Sequence, residues 1–306
     1  MLPAAREEKP QDKPGDFMSM LRLALAVAAG LGLASAVPAG AEPAKAAPAG
    51  DADAASPWTE LHASRARLVA SRAAAPGGAR LAGIEIAMAD GWKTYWRMPG
   101  DAGVPPTFDW SGSTNAAQIK VLYPAPTRIA EAGGEVVGYK GTILFPVEVT
   151  PQDAAKPVAL KLSMELGICR EICVPVTTTF ELTLPPSGKA AQPDAIAAGL
   201  DRVPRPQAKR RPTDPDLRKA AVSDSEAGAR LTVEAAFGSA RSGDVFVEAP
   251  EGLYVPMLRR QAQGADGVAR FEVGLSADLA RDLKGKTLTF TLVGETGASE
   301  AQWKVP

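Results

Sequence analysis

The sequence predicts an all-β protein made of two successive β-sandwiches. Three observations carry that expectation. Apolar residues alternate with polar ones over many short stretches, most clearly at Val158, Leu160, Leu162, Met164 and Leu166, and a period of two marks strands with one buried face. Turn-forming clusters separate the stretches, among them Pro76-Gly77-Gly78, Pro99-Gly100-Asp101 and Ala132-Gly133-Gly134. No convincing amphipathic helix lies between them, which favours sheet packed on sheet.

In chain order, 306 residues leave room for one large domain or two small ones. The 34 basic and 35 acidic residues balance, so no global field points to nucleic acid or to an acidic membrane. Residues 1–41 read as an amino-terminal extension and a signal peptide. Met18, Met20 and Arg22 precede an apolar run over residues 23–37, and Ala39-Gly40-Ala41 follows. A positive charge, a short apolar region and an Ala-x-Ala site describe a secretory signal. Translation is expected to start at Met18 or Met20, with cleavage after Ala41 and the mature chain in the periplasm. An uncleaved anchor is the alternative, although the run is shorter than the roughly twenty residues of a membrane span.

Residues 42–57, rich in Ala and Pro, read as a flexible leader. Residues 58–185 form the first sandwich, with alternation at Ile84, Ile86 and Met88, at Ile119, Val121 and Tyr123, and at Ile143, Phe145, Val147 and Val149. Its last two strands flank a pair of cysteines: residues 158–166, and Val174, Val176, Thr178, Phe180, Leu182 and Leu184. Residues 186–228 read as a Pro/Arg-rich linker with a short helix over 194–200. The cluster Lys209-Arg210-Arg211 is read as solvated, and no nucleic-acid binding is expected. Residues 229–306 form a second, smaller sandwich, with strands around Leu231 to Phe237, Val245 and Val247, Phe271 to Leu275, and Leu288 to Leu292.

Cys169 and Cys173 are the only cysteines. In an extended strand their Cα atoms would stand roughly 13 Å apart, and a disulfide tolerates about 4.4–6.8 Å, so a bridge needs the chain to turn. Gly167 and Pro175 suit a short turn between two strands. A ring of about five residues stabilises by roughly 2 kcal/mol, against about 4.7 for a hundred-residue loop, so holding the fold together is a small part of what such a bridge can do. A structural clip, two unpaired thiols and a labile redox pair all stay open on the spacing alone. The apolar residues of both flanking strands are even-numbered and the cysteines odd-numbered, which places the sulfurs off the core face and near solvent if the alternation persists.

Other chemistry is poorly supplied. A Ser-His-Asp triad would have to use the single histidine, His62, and no nucleophile elbow is present. Gly30-Leu-Gly32 lies in the signal segment and indicates no phosphate loop. Two cysteines with three residues between them and one distant histidine make a weak zinc set. No cofactor and no metal are therefore expected, and the two sulfurs would be the whole apparatus. Copper sequestration is weaker still, because the seven methionines are scattered.

An ordered series of motifs narrows the choice. Gly91-Trp92-Lys93-Thr94-Tyr95-Trp96-Arg97 runs into Pro99-Gly100-Asp101-Ala102-Gly103 and Pro105-Pro106. Tyr123-Pro124-Ala125-Pro126, Gly138-Tyr139-Lys140-Gly141 and Phe145-Pro146-Val147-Glu148-Val149 follow, before Gly167-Ile168-Cys169 and Ile172-Cys173-Val174-Pro175. This series resembles the amino-terminal periplasmic domain of the thiol:disulfide interchange protein DsbD, and more closely the ScsB branch of suppressor-of-copper-sensitivity proteins. The resemblance is strong over residues 58–185 and weak through the linker and second sandwich.

It implies an immunoglobulin-like sandwich whose cysteine pair relays electrons, in settings such as cytochrome c biogenesis or copper tolerance. The implied partners are a membrane-embedded electron transporter of the DsbD or CcdA type, as donor, and periplasmic thioredoxin-fold proteins, as acceptors. Carried over, Cys169 and Cys173 are the redox pair. The stretch 131–141 corresponds to a cap loop shielding the sulfurs, with Gly138, Tyr139 and Lys140 in it and Tyr139 as the covering aromatic. Family likeness makes Cys173 the partner-facing sulfur and Cys169 the resolver. Val174, held extended before Pro175, would fix the strand just beyond Cys173. The 306 residues hold neither a polytopic membrane region nor a thioredoxin-like domain with its own Cys-x-x-Cys, and the cysteine spacing is tighter than in well-known members, so the implied donor is a separate protein. Arg170 favours a thiolate at Cys169 and Glu171 opposes it. A non-catalytic β-sandwich binding module with a structural disulfide is the competing reading.

Overall fold

The computed structural model describes residues 55–306 except 75–77, 101–102, 132–133, 187–194, 225–227, 239–241, 251 and 264–267. The expected signal segment and the cleavage point after Ala41 lie outside the described residues. The first part of the chain runs through β1 (Thr59–Leu61), β2 (Ser64–Ala74), β3 (Arg80–Met88), β4 (Lys93–Tyr95), β5 (Thr107–Asp109), β6 (Ala116–Val121), β7 (Thr127–Glu131), β8 (Gly134–Lys140), β9 (Thr142–Pro151), β10 (Val158–Cys169) and β11 (Cys173–Leu184). These strands form two sheets, in the orders β1-β2-β3-β9-β6 and β11-β10-β4-β8-β7, with β5 also on β10. The fold is an all-β sandwich, as the alternation predicts, and immunoglobulin-like, as the resemblance implies.

Alternation does most of the placing. On β10, Val158, Leu160, Leu162, Met164 and Leu166 are all at most 2% exposed, while Ala159, Lys161 and Glu165 between them face solvent. They meet Leu68, Ile84, Ile86 and Phe145 of the opposite sheet in one buried core. Each such aliphatic side chain removed from water contributes about 1.5–3 kcal/mol. Pro175 lacks an amide donor, and it is tolerated because β11 is an edge strand.

Within the stretch 186–228, expected to be a linker, the described residues 195–224 are largely structured. They hold α1 (Ala195–Asp201), β12 (Arg205–Pro206) and β13 (Asp216–Ser223). Ile196 of α1 packs on Val69, Leu81 and Leu144. The arginines read as solvated are instead paired: Arg210 with Asp216 at 3.0 Å, and Arg211 with Asp214 at 3.2 Å and Asp201 at 3.1 Å. A proline-rich composition hides these local ion pairs from a reading of pattern alone.

After β13 come β14 (Ala229–Ala236), β15 (Asp244–Glu248), β16 (Arg259–Gln263), β17 (Val268–Leu275), α2 (Ala277–Leu283), β18 (Thr287–Val293) and β19 (Ala298–Lys304). Two four-stranded sheets result, β12-β19-β18-β15 and β13-β14-β17-β16, around a second core that includes Leu231, Val233, Phe271, Leu288 and Phe290. The second sandwich thus draws strands β12 and β13 from the expected linker.

The two sandwiches are clamped together. Arg97 makes a two-pronged contact with Glu248, at 2.7 and 2.6 Å, and reaches Glu300 at 2.8 Å. Arg128 does the same to Asp244, at 2.8 Å through both Nε and Nη2. Such forked pairs fix orientation as well as adding energy. Burial opposes the charge on Arg97, but the hydrogen bond and field of Glu248, with Glu300 behind, outweigh it and hold its pKa above the ordinary arginine value. Trp96 packs against Phe246 at 5.6 Å between ring centres.

Candidate functional site

Strands β10 and β11 pair in antiparallel register from Val158↔Leu184 to Cys169↔Cys173. The cysteines are the last pair of this ladder, and residues 170–172 make the turn, where the Arg170 amide donates to the Ile172 carbonyl at 3.0 Å. They are disulfide-bonded, with Cα atoms 4.1 Å apart. That is near the closer of the two spacings of an antiparallel ladder, about 4.5 Å. The hairpin therefore supplies the chain reversal that a bridge at this spacing needs.

The two sulfurs have different surroundings. Cys169 is 1% exposed and lies in a small cluster with Tyr95, Ile129 and Val136, separate from the main core. Cys173 is exposed, beside Ile172 at 70% exposure. Parity does carry the sulfurs off the main core face. The expectation of solvent access holds for Cys173 and fails for Cys169, because the alternation on β10 ends in four consecutive buried residues.

Register explains what covers them. Cys169 pairs with Lys93, and β4 pairs with β8 as Lys93↔Lys140, Thr94↔Tyr139 and Tyr95↔Gly138. Directly opposed residues share a face of the sheet, so Lys93, Tyr95, Gly138 and Lys140 lie on the sulfur side. Thr94 and Tyr139 lie on the core side. Tyr139 is accordingly not a lid. It is 3% exposed, it meets Phe145 edge-on at 5.3 Å, and its hydroxyl donates to the Pro124 carbonyl at 2.8 Å. Burial raises its pKa well above the usual phenol value. The stretch read as a cap loop is mostly strand β8, and the residues that reach Cys169 from this hairpin are Ile129 and Val136.

The aromatic at the sulfurs is Tyr95. Its hydroxyl lies 3.0 Å from Cys173 Sγ, and the bridged sulfur carries no hydrogen, so the hydroxyl donates. Burial first, and the Glu131 carboxylate second, raise the Tyr95 pKa above 10, which keeps the donor proton in place. A Cβ at Gly167 would meet Cys169 Sγ at 3.4 Å and Tyr95 Cε2 at 3.5 Å, ordinary contact distances that an alanine could meet. Gly138, by contrast, is required. A Cβ at Gly138 would stand 2.2 Å from the Thr94 carbonyl oxygen, so a glycine is what lets β8 approach β4.

Lys93 completes the site. It is 5% exposed, its Nζ donates to the Arg170 carbonyl at 3.1 Å, and it pairs with Glu131 at 2.7 Å. The β4 strand, the cysteine turn and the end of β7 are thereby tied together through one ammonium. Lys140 is exposed. Lys93 and Tyr95 lie inside a sequence motif that shows no role for either, because their orientation depends on a register between distant strands. His62 stacks edge-on with Trp92 at 4.8 Å, and no group of three or more potential metal-ligating side chains is found among the described residues.

Residues 65–185 match the family model described as Thiol:disulfide interchange protein DsbD, N-terminal. Among solved structures, the N-terminal periplasmic domain of ScsB from Proteus mirabilis is similar, with a TM-score of 0.62 and 20% identity over 83% of this chain and 98% of that one. At that identity the likeness speaks for the fold. The reduced N-terminal domain of DsbD from Neisseria meningitidis aligns with 18% identity over 34% of this chain and 77% of that one, at a TM-score of 0.23, which carries no argument. No curated protein matches. Residues 65–185 are thus similar to the N-terminal domain of DsbD, and the chain shares the architecture of the ScsB N-terminal domain.

Proposed function

We propose that the chain is a periplasmic thiol-disulfide relay protein, taking electrons from a membrane-embedded transporter of the DsbD or CcdA type and passing them to periplasmic thioredoxin-fold proteins. The observation that carries this reading is the unequal exposure of the sulfurs. A relay needs one cysteine that meets partners and one that resolves the product, and Cys173 is exposed while Cys169 is 1% exposed. Cys173, as thiolate, attacks a partner disulfide; a Cys173–partner bond forms and the partner's second sulfur leaves as thiolate. Cys169, deprotonated, then attacks Cys173 Sγ, reforms the internal bridge and releases the partner as a dithiol, two electrons richer. The apolar signal-like run over residues 23–37 supports the compartment.

A Cys169→Ala variant tests the reading. Incubated with an oxidised thioredoxin-fold protein, it should accumulate a reductant-sensitive covalent complex, and Cys173→Ala should accumulate much less. Equal trapping would overturn the assignment of roles. If neither variant traps a partner and the wild-type bridge resists reduction below about −300 mV, the disulfide is structural and the relay reading falls.

A further inference from the structure

We propose that Lys93 is the counter-charge for a Cys169 thiolate and that Glu131 holds it in check. The inference rests on the relay reading, because only a resolving cysteine needs to become a thiolate. Cys169 is buried, and burial disfavours the charged form of a thiol. The groups around it can be taken element by element. The turn contributes Arg170 and Glu171, both exposed, with the Arg170 guanidinium stem lying against Gly91. Strand β8 contributes Lys140, exposed. Strand β11 contributes Cys173 itself, and the end of β7 contributes Glu131. Strand β4 contributes Tyr95, which is engaged with Cys173, and Lys93.

Of these charged groups, Lys93 is the buried cation. It is also Cys169's opposite number across the ladder, and its ammonium is anchored on the carbonyl of the next residue, Arg170. With the disulfide closed, that ammonium is paired with Glu131 at 2.7 Å, and a neutral pair projects little field. Glu131 ends the hairpin whose Ile129 and Val136 cover Cys169. Loss of the Glu131 pair would release the ammonium to Cys169. The Cys169 proton then goes to solvent, the thiolate attacks Cys173 Sγ, and the Cys173–partner bond breaks with the partner sulfur leaving as thiolate.

The test uses the full chain with Cys173→Ser, leaving Cys169 as the sole thiol, and follows thiolate absorbance at 240 nm against pH. Glu131→Gln should lower the apparent Cys169 pKa by about one unit, and Lys93→Met should raise it by about one unit. The double variant should titrate above Glu131→Gln alone, since the direct effect of Lys93 persists without its partner. An unchanged pKa in Lys93→Met, or a double variant indistinguishable from Glu131→Gln, overturns the proposal. If Lys93→Met fails to fold, Glu131→Gln decides by itself, and no downward shift overturns it. The titration needs no partner, so its outcome is separate from the trapping experiment that tests the relay.

Discussion

Replacing Gly138 by alanine should disturb the sulfur site from the far side of β4. Gly138 is the register partner of Tyr95, and its φ is outside the left-handed region, so alanine carries no backbone penalty there. The cost is contact. The new Cβ would stand 2.2 Å from the Thr94 carbonyl oxygen, and the strands must part by about 0.8 Å to reach even 3.0 Å. The obstructing atom is backbone, which cannot rotate away. Overpacking of this kind costs about 1–3 kcal/mol, and a backbone obstruction belongs at the upper end. At about 2–4 °C per kcal/mol for a folded unit of this size, Tm should fall by roughly 5–10 °C. Moving Thr94 also moves Tyr95, whose hydroxyl sits 3.0 Å from Cys173 Sγ, so reduced Cys173 should alkylate faster. Calorimetry and a maleimide time course measure the two effects. A Tm within about 2 °C of wild type, with unchanged alkylation, would refute the claim that the close approach of β8 to β4 places Tyr95.

Other perturbations separate the roles of neighbouring groups. Tyr95→Phe removes the donor to Cys173 with little change of shape. A hydrogen bond to a charged group contributes about 1.5–3 kcal/mol, so the Cys173 thiolate, titrated in a Cys169→Ala background, should lose about one to two pKa units of stabilisation. Tyr139→Phe should cost about 1–2 kcal/mol by leaving the Pro124 carbonyl unpaired yet leave cysteine alkylation unchanged; faster alkylation would restore Tyr139 as a lid. Arg97→Ala strands Glu248 and Glu300, and since the pair is partly exposed the loss should be about 2 kcal/mol, between surface and buried cases, read as a lower Tm. An alkaline titration at 295 nm should find Tyr95 and Tyr139 ionising above pH 10, and Tyr123, raised chiefly by burial, near about 12. Because these folded values lie above the unfolded one, the associated stability is present below about pH 10 and is lost as pH rises through the raised values.

Strand alternation made the first sandwich legible almost residue by residue: the even-numbered apolar side chains of β10 are the buried ones. It worked there because β10 has one core face along most of its length. It failed at the strand's end, where Gly167, Ile168 and Cys169 are all buried because a hairpin covers the second face. Helix α2 was missed although Ser276 caps it by accepting from the Leu279 amide at 3.2 Å; a serine three residues before Leu279 and seven before Leu283 was a usable signal. The short edge elements β12 and β16 leave no alternation to read. Tyr139 shows the deeper limit. It and Tyr95 are both aromatic, both strand-borne and both close in sequence to family motifs, and one register step decides which of them faces sulfur.

That register step also gives the second sandwich a bearing on the chemistry. Arg97 lies two residues beyond Tyr95 and is forked onto Glu248, with Glu300 beside it. Arg128 immediately precedes Ile129 and is forked onto Asp244. Glu135, immediately before Val136, is paired with Arg259. Tyr95, Ile129 and Val136 are the three residues packed with Cys169. Each therefore has a neighbour within two positions that is held by the second sandwich, and opposed charges of both senses are used: arginines from the first sandwich at two points and an arginine from the second at the third. A contact set made only for cohesion could fall anywhere on the shared surface. This one falls on the backbone segments that carry Tyr95, Ile129 and Val136, the residues packed with Cys169.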